Sequence, residues 1–315
     1  MDSLPTLADI EAAANRIKPY ARRTPVLTCE SIDRMVGARL FFKCENFQKT
    51  GAFKFRGACN TVFSLSEEEA RRGVATHSSG NHGAALARAA GLRGIDAFIV
   101  VPKNAPEVKK KAVAGYGGRI AFCEPTLASR ETTLEKVVRE TGAHVVHPYN
   151  DPRVIAGQGT AALELLRDVP DLELVLAPVG GGGLLSGTAI AVTELSRTAR
   201  VLAAEPQAAD DAFRSMQAGR IVPSVDPVTV ADALRTSLGE LTFAVIRARV
   251  QEIVTVSEES ILSALRTVWE RMKIIIEPSS AVPVAALLDG KVKARGKRVG
   301  VILSGGNVDF ESLRF

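Results

Sequence analysis

Lys54 is the residue of this 315-residue chain whose setting most clearly points to chemistry. It lies in a small, polar frame that reads Thr50-Gly51-Ala52-Phe53-Lys54-Phe55-Arg56-Gly57-Ala58. A lysine amine can form an imine with an aldehyde and can also act as a base. A lone lysine beside a turn would indicate only a surface position. The chemical interpretation therefore depends on the motifs that accompany it.

Two glycine-rich segments supply what a phosphorylated aldehyde would need. Gly180–Gly183 follows an apolar run, and Ser304-Gly305-Gly306-Asn307 follows the predicted strand Val299–Leu303. Successive glycines let backbone N–H groups converge on a phosphate, and a following helix adds the positive end of its dipole. We do not interpret the run as a GxGxxG dinucleotide fingerprint. A tight strand-to-helix connection is the alternative interpretation.

Together these motifs resemble the pyridoxal-phosphate (PLP) enzymes of fold type II, which are tryptophan synthase β-like. The most similar branch contains the serine racemases and the threonine/serine and 3-hydroxyaspartate dehydratases. The resemblance runs from about Ile10 to Asp309. It implies PLP as the cofactor, covalent attachment and substrate Cα proton abstraction by Lys54, and phosphate binding by Gly180–Gly183.

The resemblance also implies further cofactor contacts, from Phe53, Asn81, Leu184 and Ser304. Asn81 would hydrogen-bond the phenolic oxygen of the cofactor, and Ser304 would face its pyridine nitrogen. A neutral hydroxyl cannot hold that nitrogen protonated as a carboxylate would, so the ring is a weaker electron sink. This favours loss of a β-leaving group over transamination.

A polar loop, Ser78-Ser79-Gly80-Asn81-His82-Gly83, follows a predicted strand, where an α/β fold places its ligands. The resemblance implies that this loop receives the substrate, through Ser78, Ser79, Asn81 and His82. Asn81 could equally be a helix N-cap, and His82 alone would indicate a structural histidine. In the racemases the serine at position 79 is the acid/base on the opposite face of Cα. Some dehydratases share the same loop, so both activities stay open.

Arg130 follows Ser129, which we expect to cap a helix from Arg130 to Glu140. A cation is unfavourable at a helix start, so a functional role is worth considering. The racemase branch has an arginine near the substrate here, and a guanidinium could pair with a second substrate carboxylate. That raises 3-hydroxyaspartate as a substrate. The alternative is a surface arginine paired with Glu131 or Glu135.

A carboxylate pair, Glu205 and Asp211, follows the predicted strand Val201–Ala204. Hard divalent cations prefer carboxylate and carbonyl oxygens. The segment resembles the racemase metal site, which implies ligands at Glu205, the carbonyl of Ala209, and Asp211. We expect Mg²⁺, or Ca²⁺ or Mn²⁺, in a structural and activating role. Acids near a helix start are also favourable for the helix dipole alone.

The elements that must position these residues alternate between strands and helices, which predicts an α/β fold with parallel sheets flanked by helices. The predicted strands are 39–43, 73–77, 97–101, 119–122, 143–147, 174–176, 201–204 and 299–303; the predicted helices are 83–90, 106–115, 130–140, 160–166, 186–195, 260–272 and 279–288. The family resemblance implies two domains. The large PLP-binding domain comprises 1–72 and 151–315, and a small mobile domain comprises 73–150.

Composition narrows the classes of function. The formal charge is +5 and the pI about 9.1, but the basic run Lys109-Lys110-Lys111 is predicted to be a solvated helix face rather than a nucleic-acid site. No apolar run is long enough to span a bilayer, and no signal peptide is visible. The four separated cysteines indicate reduced thiols. We expect a cytoplasmic enzyme with a small amino-acid substrate and neither nucleic-acid nor membrane partners.

The predicted reaction is dehydration of L-serine, L-threonine or 3-hydroxyaspartate to a 2-oxo acid and ammonia. Serine racemase with dehydratase side activity is the nearest alternative. Cysteine-synthase-type β-replacement and a non-catalytic PLP-holding protein are the others. Two further expectations come from the resemblance alone: a homodimer, and a conceivable nucleotide site that would include Lys49.

Overall fold

The computed structural model describes residues 4–78 and 80–309. Within them the strands form two sheets, with helices between successive strands. The larger sheet contains β1 (Val26–Leu27), β2 (Arg39–Cys44), β7 (Leu174–Pro178), β8 (Arg200–Pro206), β9 (Glu252–Val256) and β10 (Arg298–Leu303). Their spatial order is β1-β2-β10-β7-β8-β9, and only β1 runs antiparallel to its neighbour. The predicted α/β fold is confirmed.

The smaller sheet is parallel throughout and has the order β5-β4-β3-β6. Its strands are β3 (Val74–His77), β4 (Ala97–Pro102), β5 (Arg119–Cys123) and β6 (His144–Val145). All four strands lie between positions 73 and 150, the range predicted for a small domain. The domain boundary itself and its mobility stay predictions.

The helices cover both sheets and connect the parallel strands, as crossover geometry requires. They are α1 (Leu7–Ile17), α2 (Glu30–Val36), α3 (Lys54–Ser64), α4 (Glu67–Arg71), α5 (Asn81–Arg93), α6 (Glu107–Gly115), α7 (Leu127–Thr141), α8 (Pro152–Asp168), α9 (Gly183–Leu195), α10 (Asp211–Ala218), α11 (Glu240–Arg249), α12 (Glu258–Met272) and α13 (Pro278–Leu288).

The strands of the larger sheet are apolar on both faces because each face packs against a buried apolar cluster. Along β7, Val175 and Ala177 join one buried apolar cluster, whereas Leu174 and Leu176 join another. Successive side chains of a strand point to opposite faces, so the two clusters lie on the two sides of the sheet. A parallel sheet buried in this way holds its strand ends in place, and these ends carry the candidate site.

Three predicted helix starts are wrong by three residues or more: the helices predicted from 130, 160 and 186 begin at Leu127, Pro152 and Gly183. The N-cap of α7 is Thr126, whose hydroxyl accepts the backbone N–H of Ser129 at 3.2 Å. Ser129 and Arg130 therefore lie inside the first turns of the helix. Thr126 and Ser129 are three residues apart and both have hydroxyls that can cap, so the local pattern did not distinguish them.

Candidate active site

Lys54 is the first residue of α3, and the turn before it sets its position. Thr50 (φ 60°) and Gly51 (φ 72°) both adopt the left-handed backbone conformation, which redirects the chain. Phe53 N–H then donates to the carbonyl of Ser304 at 2.9 Å, next to a bridge between Ala52 and Gly305. These backbone contacts bring the lysine frame against the Ser304 motif, as a shared site would require.

The Lys54 amine has a single polar partner among the described residues. Its Nζ donates to the carbonyl of Pro148 at 2.7 Å and lies 5.1 Å from the centre of the Phe53 ring. Burial lowers the pKa of Lys54 to about 8, and the negative charge of Glu277 only partly opposes this. A substantial fraction of the amine is thus neutral near neutral pH, the form that a nucleophile or base requires.

The glycine loop Gly180–Gly183 connects β7 to α9, and its shape fits a phosphate. Gly182 has φ 88°, a conformation that favours glycine, and a Cβ on Gly181 would overlap the ring of Tyr149. Within the described residues, the N–H groups of Gly181 and Gly182 donate to no protein acceptor. These free donors at the N-terminus of a 13-residue helix suit the phosphate of PLP. Leu184, also predicted to contact the cofactor, is the second residue of that helix and packs into the core.

Ser304 lies directly after β10 and is 3% exposed. Its hydroxyl is 3.0 Å from Ser280 Oγ, which also binds the N–H and C=O of Gly305, each at 2.7 Å. These bonds hold the hydroxyl at the strand end. The residue near a pyridine nitrogen would therefore be a neutral, preoriented hydroxyl.

Asn81, the first residue of α5, joins the two sheets at the site. Its Nδ2 donates to both carboxylate oxygens of Glu277, at 3.1 and 3.0 Å, and its Oδ1 accepts from Asn307 at 2.9 Å. Glu277 was not among the predicted site residues. Its only local signal is a place before Pro278 at a helix start, which predicts no more than a favourable dipole contact.

Pro148 and Tyr149, which were also missed, belong to a short loop ordered by His147. The Nδ1 of His147 accepts the backbone N–H groups of Tyr149 at 3.3 Å and Asn150 at 2.9 Å. Burial lowers the pKa of His147 to about 4, so the ring is neutral and can accept. This loop presents the Pro148 carbonyl to Lys54 and the Tyr149 ring to the glycine loop. Nothing in its local sequence indicates either contact.

The polar loop after β3 is only partly described, because Ser79 lies outside the described residues. Ser78 donates its backbone N–H to Val100 O at 3.1 Å, and its hydroxyl accepts from Gly80. His82 is 2% exposed and its Nε2 is 3.2 Å from the carbonyl of Val146. Burial lowers the pKa of His82 well below its usual value. Its predicted contact with substrate stays a prediction.

Arg130 is half-buried, and its Nε is a buried group without a hydrogen-bond partner. In the described part of the chain it forms no ion pair with Glu131 or Glu135. Burial and then the positive charge of Arg130 lower the pKa of His77, at the end of β3. The guanidinium thus lies near the polar loop with unsatisfied hydrogen-bonding capacity, which suits an anion.

Glu205, the second-last residue of β8, lies near Asp211, the first residue of α10. Glu205 accepts the N–H groups of Ala212 at 3.0 Å and Phe213 at 2.9 Å, whereas both carboxylate oxygens of Asp211 are buried without a hydrogen-bond partner. Burial raises the pKa of Glu205 to about 9 and that of Asp211 to about 6. A cation would relieve this cost. The described residues contain no group of three or more His, Cys, Asp or Glu side chains placed to hold a metal, so backbone oxygens and water would complete the shell.

Comparison with known proteins covers almost all of the chain. The family model described as pyridoxal-phosphate dependent enzyme matches residues 17–305. The β-hydroxyaspartate dehydratase of Paracoccus denitrificans (strain Pd 1222) is 53% identical over 310 residues, 98% of each chain. The structure of serine racemase from Dictyostelium discoideum has a TM-score of 0.94 and 49% identity, over 98% of this chain and 100% of that one.

The structure of the T.th. threonine deaminase is also similar, with a TM-score of 0.93 and 46% identity, over 97% of this chain and 99% of that one. The range matched by the family model includes Lys54, Asn81, Gly180–Gly183, Glu277 and Ser304. In the described residues we find no helix long and apolar enough to cross a membrane.

Proposed function

We infer the reaction from one premise: the chain belongs to the pyridoxal-phosphate-dependent enzyme family. The predicted family and its PLP cofactor are thereby confirmed. On that premise we propose that the chain is a dehydratase, a carbon–oxygen lyase that converts a β-hydroxy amino acid into a 2-oxo acid and ammonia. The named relatives at 53% and 46% identity, a dehydratase and a deaminase, support this reaction class.

When bound, PLP supplies an electron sink for negative charge at the substrate Cα. Gly180–Gly183 would hold its phosphate, Ser304 would meet its ring nitrogen, and Asn81 its phenolic oxygen. Lys54 takes the Cα proton, and the Pro148 carbonyl orients the amine. Loss of that proton and of the β-hydroxyl removes one water molecule. The released enamine then takes up water and yields the 2-oxo acid and ammonia.

The observation that carries the proposal is the state of the Lys54 amine. It lies beside the Ser304 motif, bonds to a neutral carbonyl rather than a carboxylate, and has a pKa lowered to about 8. A lysine held as an ion pair would stay protonated and could not remove a proton. This arrangement therefore supports a base with a working pKa near neutrality.

We propose 3-hydroxyaspartate as the preferred substrate. The unpartnered Nε of half-buried Arg130 supports this, because a second substrate carboxylate would satisfy it. The name of the relative at 53% identity points to the same substrate. Serine racemase with dehydratase side activity is the second candidate, favoured by the named racemase at 49% identity. It depends on Ser79, which lies outside the described residues.

We further propose a divalent cation, Mg²⁺ or else Ca²⁺ or Mn²⁺, held by Glu205, the carbonyl of Ala209 and Asp211. The unpartnered carboxylate of Asp211 supports it. The small mobile domain at 73–150, the homodimer and the cytoplasmic location are further parts of the proposal.

The test is 2-oxo acid release by the PLP-loaded, Mg²⁺-supplemented enzyme. The panel contains L- and D-serine, L-threonine, and threo- and erythro-3-hydroxyaspartate. Wild type is compared with Arg130→Ala and with a matched control, Arg139→Ala, which removes an arginine from the other end of α7.

We expect a strong preference for one hydroxyaspartate, lost in Arg130→Ala and kept in Arg139→Ala. Loss of one charge-assisted carboxylate contact corresponds to a drop of about 10–100-fold in kcat/KM. A preference for serine or threonine that Arg130→Ala leaves unchanged would contradict the dicarboxylate substrate. Conversion of L-serine mainly to D-serine would favour the racemase.

A further inference from the structure

Glu277 is a buried carboxylic acid that the reaction above does not use. It is 3% exposed and is the N-cap residue of α13, yet its side chain makes no capping hydrogen bond to that helix. A carboxylate in this position is ordinarily stabilised by the free N–H groups of the helix. The Glu277 carboxylate instead extends to Asn81 on α5, the helix that connects β3 to β4 of the smaller sheet.

The chain makes room for this carboxylate at Gly305. A Cβ on Gly305 would lie 2.9 Å from Glu277 Oε1, closer than such atoms approach. The φ angle of Gly305 is outside the left-handed region. Glycine is therefore required here for space rather than for backbone conformation. The Glu277 carboxylate thus packs directly against the Ser304 motif.

The carboxylate also determines which way the Asn81 amide points. Asn307 Nδ2 donates to Asn81 Oδ1 at 2.9 Å, and to the carbonyl of Thr50 at 2.7 Å. At the other end of the amide, an ionised carboxylate can only accept, so it must face the NH₂ group of Asn81. Protonation of Glu277, or its replacement by an amide, would remove the constraint at this end and leave only the one from Asn307.

No described cation forms an ion pair with Glu277. Burial, the largest influence, raises the pKa of Glu277 to about 7, and the side chain of Asn81 opposes the rise. In turn, the negative charge of Glu277 raises the pKa of Lys54. The carboxylate thus influences both the lysine and the asparagine assigned to the cofactor. Weaker influences on its titration come from Asp232 near the glycine loop, Lys109 on α6 and the backbone N–H of Asn307.

We propose that ionised Glu277 is a positioning residue, which orients the Asn81 amide and supplies the negative charge that tunes Lys54. This role for Glu277 rests on the proposed function in one respect: PLP must lie against Lys54 and Asn81. Glu277→Gln has nearly the same size but lacks the charge, and its own NH₂ can face Asn81. The amide of Asn81 is then oriented by Asn307 alone.

The experiment records the visible absorbance band of bound PLP against pH, without substrate, in wild type, Glu277→Gln, Asn81→Ala and the double variant. We expect Glu277→Gln to lower the pH midpoint of the band by about one unit, because a negative charge near the cation is lost. We expect kcat to fall by about 10–100-fold with a smaller change in KM. The kcat of the double variant should resemble that of Asn81→Ala, because Glu277 orients the ring contact through Asn81. Its pH midpoint should still be lowered, because the charge acts on Lys54 directly.

The matched control is Glu173→Gln. The Glu173 carboxylate accepts the backbone N–H of Arg298 at 3.0 Å at the opposite end of the larger sheet, so this variant should change neither the pH midpoint nor kcat. An unchanged band and midpoint in PLP-loaded Glu277→Gln would overturn the proposal, as would additive losses of kcat with Asn81→Ala. If Glu277→Gln does not retain PLP, the pH midpoint is measured instead in Glu277→Asp, which keeps the negative charge. A midpoint near that of wild type supports the role of the charge, and one displaced by about a unit or more contradicts it. Because the band is recorded without substrate, a wrong substrate assignment leaves the absorbance outcomes unaffected.

Discussion

Two buried cations lie two residues apart at the start of α3, and their surroundings are opposite. Arg56 is fully buried between two carboxylates: its Nε and Nη2 bind Glu45 at 2.7 and 2.8 Å, and its Nη1 and Nη2 bind Glu164 at 2.8 Å each. Lys43 also binds Glu164, at 2.6 Å. Lys54, by contrast, has the carbonyl of Pro148 as its polar partner.

The difference shows how one helical turn can hold both a permanent charge and a reactive amine. Burial acts to lower the pKa of Arg56. The negative charges of Glu45 and Glu164 outweigh burial and raise this pKa above its usual value. For Lys54, burial prevails over the distant Glu277 and lowers the pKa to about 8. Bidentate pairing locks Arg56 as a structural anchor, whereas the lack of an ion pair leaves Lys54 able to exchange protons.

Lys54→Ala should have the largest effect among the variants that test the difference between Lys54 and Arg56. We expect activity to fall at least about 10³-fold and the visible band of bound PLP to disappear, because both the attachment point and the base are lost. Thermal stability of the cofactor-free protein should be retained, since no carboxylate is left unpaired. The control is Lys136→Ala, an exposed lysine on α7. Full activity with an intact band would contradict the assignment of Lys54.

Arg56→Met should have the reverse effect, a loss of stability more than of chemistry. Removing one partner from a buried ionic cluster costs about 3–5 kcal/mol, because Glu45 is left without a counter-charge and Glu164 keeps only Lys43. Urea unfolding followed by circular dichroism measures this. Arg34→Met is the control, since Arg34 is 74% exposed and pairs with Glu30 only at 3.7 Å, and its unfolding midpoint should not move. Equal midpoints for both variants would refute the anchoring role of Arg56.

The pH dependence of cofactor attachment sharpens the comparison. With a pKa of about 8 instead of 10.5, the neutral fraction of the Lys54 amine at pH 7 is about 300 times larger. In the cofactor-free protein, the rate at which added PLP gains its protein-bound absorbance should rise with pH and level off above about pH 8. A stopped-flow series measures it. A rate that still rises about tenfold per unit above about pH 9 would mean that burial does not lower this pKa.

The smallest expected effect concerns the carboxylates Glu205 and Asp211, which lack the cations that Glu45 and Glu164 have. Mg²⁺ at about 100 times its Kd should stabilise the protein by about 2.7 kcal/mol and raise the melting temperature by several degrees. Asp211→Asn should abolish the rise. Asp210→Asn should keep it, because Asp210 pairs with Arg214 at 2.7 Å. A melting temperature that responds equally in both variants would contradict a metal at Asp211.

Much of the fold could be predicted because its signals are local. The strand at Arg39–Cys44 and the helix at Glu258–Met272 appear in the sequence as an apolar run and an amphipathic period. The helix Glu240–Arg249 and the strand after it were missed, because Glu240–Arg249 has a weak apolar period and few buried residues. The cap of α7 was placed at Ser129 rather than Thr126, since both residues offer a hydroxyl within the same turn.

The sequence by itself determined the chemistry: a lysine frame, a phosphate-shaped glycine loop and a serine at a strand end, each a short local motif. The tertiary structure decided how that chemistry is controlled. Pro148 meets Lys54 across 94 positions, Glu277 meets Asn81 across 196, and Glu164 meets Arg56 across 108. Charge, burial and pKa depend on such distant neighbours, and only packing of the whole chain determines which of them meet.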